Sequence, residues 1–440
     1  MKPFEADFLI GAATAAHQVE GNNVNSDFWA QEHMKNTDFA EPSLDAVDHF
    51  NRYQEDIAMM ADAGLNAYRF SIEWARIEPK EGVFDEAAVA HYRDVIACCK
   101  AHGVEPIVTL HHFSSPKWLI SKGGWEAETT PGDFARYTRY IIERLGSELR
   151  YVCTINEANM GIQVTVVANR YRKLMMEQMA KAQASDASVD SNIQMGINIE
   201  KLMSNRKAFS EECKEVYGVS DPQTFTSPRT PHGDYLITEA HKAARAVIRE
   251  LCPHIKVGLT LSLHDIQALP GGENLAQKTW DDDFTHYLPV IADDDFLGVQ
   301  NYTRARYDAN GEMSAPEGAE LTQMDYEFYP QALENVLRRV AEVFHGDLIV
   351  TENGIATADD TRRVAFIQTA VSGVKNCIAD GLPVKGYIHW SLMDNFEWQK
   401  GFSMQFGLIA VDRSTQTRFP KPSLAYLGDC LRRGRLGVGQ

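Results

Sequence analysis

Apolar runs rich in β-branched residues recur along the whole 440-residue chain. Eight of them read as strands: residues 8–16, 66–72, 105–113, 151–157, 256–263, 295–302, 348–354 and 384–392. They are near-continuous rather than alternating, the pattern of strands covered on both faces. Between most of them, apolar positions recur at helical spacing. In 87–102, Val89, Tyr92, Val95, Ile96 and Cys99 share one face, and Gly103 follows as a stop. The stretches 134–145, 235–251, 330–344 and 362–380 behave likewise. Strand–helix alternation predicts a parallel sheet covered by helices. Eight such strands predict an α/β fold, a closed (β/α)8 TIM barrel forming a single domain over residues 1–440. A doubly wound open sheet is the alternative, but no GxGxxG follows the first strand.

The rhythm lapses between residues 158 and 234. A long helix-like run at 164–185 carries Met175, Met176 and Met179, a small polar patch fills 186–192, and a second helix-like run covers 199–217. This predicts a helical insertion after the fourth strand, either packed on the barrel or serving as a lid. A long excursion after a barrel strand lies on the catalytic face.

Composition narrows the function. The formal net charge of -18 repels phosphate backbones and anionic lipid, so nucleic-acid and membrane partners are not expected. Seven scattered cysteines, with Cys98 and Cys99 adjacent and no CxxC pair, fit a reduced compartment. The first residues lack a signal-peptide pattern and no uncharged run spans a bilayer, so a cytoplasmic location is expected. His111-His112 is a bare pair and His49 has no spaced partners, so no metal site and no cofactor are expected.

The chemistry gathers at the strand ends. A barrel brings these to one pocket, here Gln18, Glu20, Arg69, His112, Asn156, Glu157, His264, Asp265, Tyr302, Glu352 and Trp390. Glu157 and Glu352 each close a buried apolar run, where a carboxylate is costly to place without a use. Paired glutamates are the minimum equipment for cleaving a glycosidic bond, and in retaining enzymes they sit roughly 5–5.5 Å apart. A nucleophilic carboxylate must stay ionised, and Arg69 and Tyr302 can support one. The acid must hold a proton at rest, which favours poor solvation and a negative neighbour. Asn156 can donate to a sugar 2-hydroxyl. Trp118, Trp125, Trp390 and Trp398 offer flat rings for the apolar faces of a sugar.

Read together, these motifs resemble glycoside hydrolase family 1, the β-glucosidase family. The resemblance runs from Phe8 to about Leu427. It rests on the stretch from Phe8 to Gly21, Tyr68-Arg69-Phe70-Ser71-Ile72-Glu73-Trp74, Thr109-Leu110-His111-His112-Phe113, Thr154-Ile155-Asn156-Glu157, Val350-Thr351-Glu352-Asn353-Gly354 and the stretch from His389 to Trp398. It implies Glu157 as acid/base, Glu352 as nucleophile and Tyr302 as the tyrosine touching it. It also implies a subsite for the non-reducing sugar made by Gln18, His112, Asn156, Trp390, Glu397 and Trp398. Besides the stretch 158–234, which matches the family poorly, five positions depart from the family pattern. Ala158 replaces proline, Phe113 stands for a tryptophan in the sugar pocket, Gln300-Asn301-Tyr302 replaces Asn-Tyr-Tyr, and Tyr326 stands for a tryptophan on the leaving-group side.

The expectation is therefore a retaining, exo-acting β-glycosidase on β-D-glucosides, with β-D-galactosides and β-D-fucosides as further substrates. Its partner is a small carbohydrate, and a homo-oligomer is left open. Alternatives are a 6-phospho-β-glycosidase and a degenerate sugar-binding barrel. Glu397 speaks against the phosphorylated substrate, because a carboxylate at that end of the sugar would repel phosphate.

Overall fold

The computed structural model describes residues 3–180, 194–198, 201 and 206–435. Eight parallel strands close into a barrel. They are β1 (Leu9–Ala13), β2 (Ala67–Ser71), β3 (Glu105–His111), β4 (Tyr151–Ile155), β5 (Lys256–Ser262), β6 (Phe296–Gln300), β7 (Asp347–Glu352) and β8 (Val384–Trp390). Each pairs with its neighbours in sequence, and β8 returns to β1 with Gly386 opposite Leu9 and Trp390 opposite Ala13. The ring closes tightly at Gly11. A Cβ there would lie 1.9 Å from the Ala67 carbonyl oxygen, so β1 and β2 approach this closely only with glycine.

All eight predicted runs become strands, each trimmed at its C-terminal end. The trimmed residues leave the ladder and form the rim: His112 and Phe113 after β3, Asn156 and Glu157 after β4, Tyr302 after β6. At β7 the register to β6 shifts between Val350 and Glu352, so that Val350 faces Val299 and Glu352 faces Gln300. The extra residue, Thr351, makes a bulge beside Glu352, the kind of irregularity that re-aims a side chain at a barrel rim.

Helices cover the strands. They are α1 (His49–Asp62), α2 (Glu86–Ala101), α3 (Thr130–Leu145), α4 (Met160–Ala180), α5 (Arg206–Tyr217), α6 (Pro231–Leu251), α7 (Glu273–Asp283), α8 (Ala332–Ala341), α9 (Asp360–Ala379) and α10 (Pro422–Arg435). In α2 the predicted face is the buried one, and Asp85 caps the start by accepting from Ala87 N and Ala88 N at 2.8 and 3.2 Å. Helices α3 and α6 lie side by side, and α10 packs on α9 and β1 where the ring closes. Helices α1, α7 and α10 go beyond the predicted set, as do a small sheet (Asp265–Ala268, Arg304–Asp308, Gly311–Met313) and a two-stranded ribbon (Ile409–Asp412, Thr417–Pro420).

The stretch after β4 is helical at both ends. Helix α4 buries Val164 and Val167 but exposes Val166 and Met176. Helix α5 buries Cys213 and Tyr217 against Met34 and Ile120, and its Glu212 accepts from Lys35 N and Asn36 N. The predicted polar patch at 186–192 lies outside the described residues, as do parts of the two flanking runs.

Candidate active site

The C-terminal rim brings most of the predicted polar groups together. Arg69, from β2, reaches across the barrel with both terminal nitrogens. Nη1 donates to Glu352 Oε1 at 2.6 Å and Nη2 to Asn156 Oδ1 at 2.5 Å. The Tyr302 hydroxyl donates to Glu352 Oε2 at 2.7 Å. Each oxygen of Glu352 therefore has its own strong donor, one of them charged. Asn156 is held from several sides. Its Oδ1 also accepts from Gln300 Nε2 at 2.8 Å and Thr260 Oγ1 at 3.3 Å, and its Nδ2 donates to His112 Nε2 at 3.1 Å.

Glu157 is placed by its backbone. Its φ is +45°, its amide donates to Thr260 Oγ1 at 2.9 Å, and the next amide, of Ala158, donates to Thr260 O at 3.1 Å. Phe113 (φ +68°) and Trp398 (φ +47°) are also left-handed. For a side chain other than glycine such a conformation costs on the order of 1–3 kcal/mol, and it persists only where the surroundings over-determine it. Three such residues at one rim mark the place where this chain gives up stability for geometry.

Both glutamates are only 3% exposed, and burial pushes both carboxyls up. Their surroundings then separate them. For Glu352 the Arg69 charge and the hydrogen bonds from Tyr302, Arg69 and Gln300 oppose the rise. For Glu157 the charge of Glu352 adds to burial, Arg69 opposes it, and Glu397 adds again, leaving this carboxyl well above the usual range. Of the two, Glu157 has the surroundings that favour a bound proton, and Glu352 those that favour a carboxylate.

The remaining groups form the wall. His112 lies 5.5 Å from Trp390 and 6.1 Å from Trp398, centroid to centroid and near-parallel, and Phe113 packs against His112 and Trp398. Burial, then the charges of Arg69 and His111, keep His112 neutral. With Nε2 accepting from Asn156, the ring proton sits on Nδ1, which has no partner among the described residues. Gln18 donates to the Phe396 carbonyl at 2.8 Å and weakly to Glu397 Oε2 at 3.4 Å, leaving its own Oε1 unpartnered among the described residues. Burial pushes Glu397 up to about 8, against the pull of the Gly196 amide. Burial pushes the Tyr326 hydroxyl well above its usual range, and that hydroxyl likewise lacks a partner among the described residues. These orphaned polar atoms are what a polyhydroxylated ligand would satisfy.

Some predicted members stand elsewhere. Trp118 lies on a short helix (Lys117–Ser121) that turns it away from the cluster. Its indole N–H donates to the Glu78 carbonyl at 2.8 Å, and its ring packs on Trp74 beneath Lys122 and Arg136. Glu20 pairs with Arg76 at 2.8 Å and with Tyr92, and Asp265 binds Gln267 and Asn335 at the small sheet. Conversely, Thr260 and Ser262 are absent from the residues expected at the site, and Gln300 enters only as a departure from the family pattern, with no role. The signal was weak: Thr260 and Ser262 stand two apart on a largely apolar strand, as barrel-facing positions do, while Gln300 is the lone polar residue at the end of its strand.

Two carboxyls of unequal proton affinity at the C-terminal end of such a barrel define an O-glycosyl hydrolase. Residues 1–194 and 230–435 match the sequence model of glycosyl hydrolase family 1, and the chain belongs to that family. Its fold superposes on the crystal structure of the beta-glycosidase BGL167 with a TM-score of 0.85, at 44% identity over 100% of this chain and 99% of the other. It is 29% identical to a 6-phospho-beta-galactosidase of Lacticaseibacillus casei over 96% of each chain. It is 28% identical to Beta-glucosidase A of Thermotoga maritima, again over 96% of each. The chain is thus a β-glycosidase of this family.

Proposed function

We propose that this β-glycosidase is a retaining, exo-acting enzyme that hydrolyses β-D-glucosides, and also β-D-galactosides and β-D-fucosides, by double displacement. One observation carries the reading: the two carboxyls are unequally supported. Glu352 has a guanidinium at 2.6 Å and a phenol at 2.7 Å, while burial and two neighbouring carboxyls keep the proton on Glu157.

In the first step Glu352 attacks the anomeric carbon while Glu157 donates its proton to the leaving oxygen, and the aglycone departs as an alcohol. Glu157, now a carboxylate, accepts a proton from water as that water attacks the glycosyl ester. The sugar leaves with its original configuration, and Glu157 is reprotonated. Asn156, oriented by Arg69, Gln300 and Thr260, presents an amide hydrogen for the 2-hydroxyl. Trp390 and Trp398 give flat rings to the sugar's apolar face, with Gln18, His112 and Glu397 taking its hydroxyls. Phe113 and Tyr326 line the pocket. That none of the seven cysteines is joined in a disulfide supports a reducing, cytoplasmic setting. Among the described residues no helix is long and apolar enough to cross a membrane.

The 29% identity to a 6-phospho-beta-galactosidase keeps a phosphorylated substrate as a second reading. Glu397 argues against it, because its recorded hydrogen bonds come from a glycine amide and a glutamine rather than a cation. The test is NMR of aryl β-glucoside cleavage, run beside the 6-phosphate. Release of the β-anomer from the unphosphorylated substrate is expected. First release of the α-anomer would overturn the retaining scheme, and cleavage of the 6-phosphorylated glycoside alone would overturn the substrate.

A further inference from the structure

Residues 194–198 cross the site described above, and their contacts are with the groups that surround the sugar. On one side Gln194 accepts from Tyr302 N at 2.6 Å and donates from Nε2 to Ser262 Oγ at 2.8 Å. Tyr302 is the residue whose hydroxyl holds Glu352. On the other side Gly196 N donates to Glu397 Oε1 at 3.2 Å, and Gly196 O accepts from Gln399 N at 3.1 Å. Asn198 completes the anchorage. Its amide donates to Gln399 Oε1 at 2.6 Å, and its Nδ2 donates to Gln399 O at 2.8 Å and Asp38 O at 2.9 Å. Met195, between the two anchors, is buried in the main apolar cluster. The fit over Glu397 is close enough to demand glycine, since a Cβ at Gly196 would lie 2.5 Å from Glu397 O and 3.1 Å from its Cγ.

We infer that this strap is a self-occupying latch: the Gly196 amide takes an oxygen of Glu397 that a sugar hydroxyl would take, so strap and sugar compete. This rests on the function proposed above, since it assigns Glu397 to the sugar. The chemistry of the two occupants is alike, each offering a hydrogen-bond donor to a buried carboxyl. The family match stops at residue 194 and resumes at 230, so residues 195–198 lie outside the matched ranges.

The closed population lowers apparent affinity by the fraction of molecules that are open, without touching the chemical step. Loosening the strap therefore lowers KM and leaves kcat alone. Asn198→Ala removes two side-chain anchors, and Gln399→Ala removes the acceptor on the facing loop; neither is among the groups assigned to the reaction. For both, KM on an aryl β-glucoside is expected to fall by roughly threefold to tenfold with kcat unchanged. Hydrogen exchange supplies a second readout in the wild type. Binding of the glucose-configured iminosugar 1-deoxynojirimycin should speed exchange at Gly196, because the sugar displaces it.

An active wild type whose KM is unmoved or raised in both variants, or whose Gly196 becomes more protected when the iminosugar binds, overturns the latch and leaves the function standing. A lowered kcat in both variants overturns it too, by making the strap part of the working site. A wild type and variants inert towards every β-glycoside overturn the function and the latch together.

Discussion

Glu397 titrates in a range where its effect on folding can be read directly. Burial raises it from 4.5 in an unfolded chain to about 8, so between those values the folded state binds the extra proton. Stability then falls as pH rises, and this group's contribution, complete below pH 4.5, is lost by about pH 8. Its share is at most about 1.4 kcal/mol per pH unit. The expected outcome is that Glu397→Gln flattens the decline of Tm across that window. Parallel declines in the two proteins would show that Glu397 is ionised in the fold. Buried Asp283, also pushed up to about 8, slopes the same way in both proteins and cancels in the difference. Glu157 makes the second residue-scale prediction. Without an acid, poor leaving groups suffer most, so Glu157→Gln should lower kcat/KM on an alkyl β-glucoside by about 10²–10⁴. A 2,4-dinitrophenyl glucoside should lose far less in the glycosylation step, because its leaving oxygen needs no proton. Equal losses on the two substrates would remove Glu157 from the acid role. The glutamates were legible because each ends a buried apolar run. Trp118 was misplaced because proximity in sequence to His112 says nothing of the helix that rotates it towards the Glu78 carbonyl.

At the scale of elements, the strands were readable because parallel strands covered on both faces leave continuous apolar runs. Helix α1 was not, although Phe50, Tyr53, Ile57 and Met60 stand at helical spacing. Its buried side also carries His49 and Asp56, joined at 2.7 Å and tied to Arg418, and this polar pair dilutes the periodicity. The rim irregularities are invisible to periodicity altogether. Nothing in Val350-Thr351-Glu352 announces that Thr351 will bulge, because the bulge depends on how β7 meets β6. Helix α2 gives an element-scale prediction. Asp85→Ala leaves two first-turn amides without their cap and should cost about 1 kcal/mol in chemical denaturation, with kcat/KM unchanged. A change in kcat/KM at unchanged stability would mean that α2 does more than brace β3.

Across the whole molecule, a rigid ring of strands converts eight separate strand ends into one site, so residues as distant in sequence as Arg69 and Glu352 meet at 2.6 Å. The same convergence explains what sequence alone could not supply. The strap at 194–198 lies in a stretch without barrel rhythm, and only its contacts with Ser262, Tyr302, Glu397 and Gln399 connect it to the chemistry. The central claim is that Glu352 forms a covalent bond to the sugar. A 2-deoxy-2-fluoro-β-glucoside with a dinitrophenolate leaving group tests it most directly, since fluorine slows both steps while the leaving group preserves the first. Intact-mass and peptide-mass spectrometry of the inactivated enzyme should find one fluoroglucosyl group on the peptide containing Glu352. An enzyme that cleaves aryl β-glucosides yet carries no adduct, or carries it on another residue, would contradict the account.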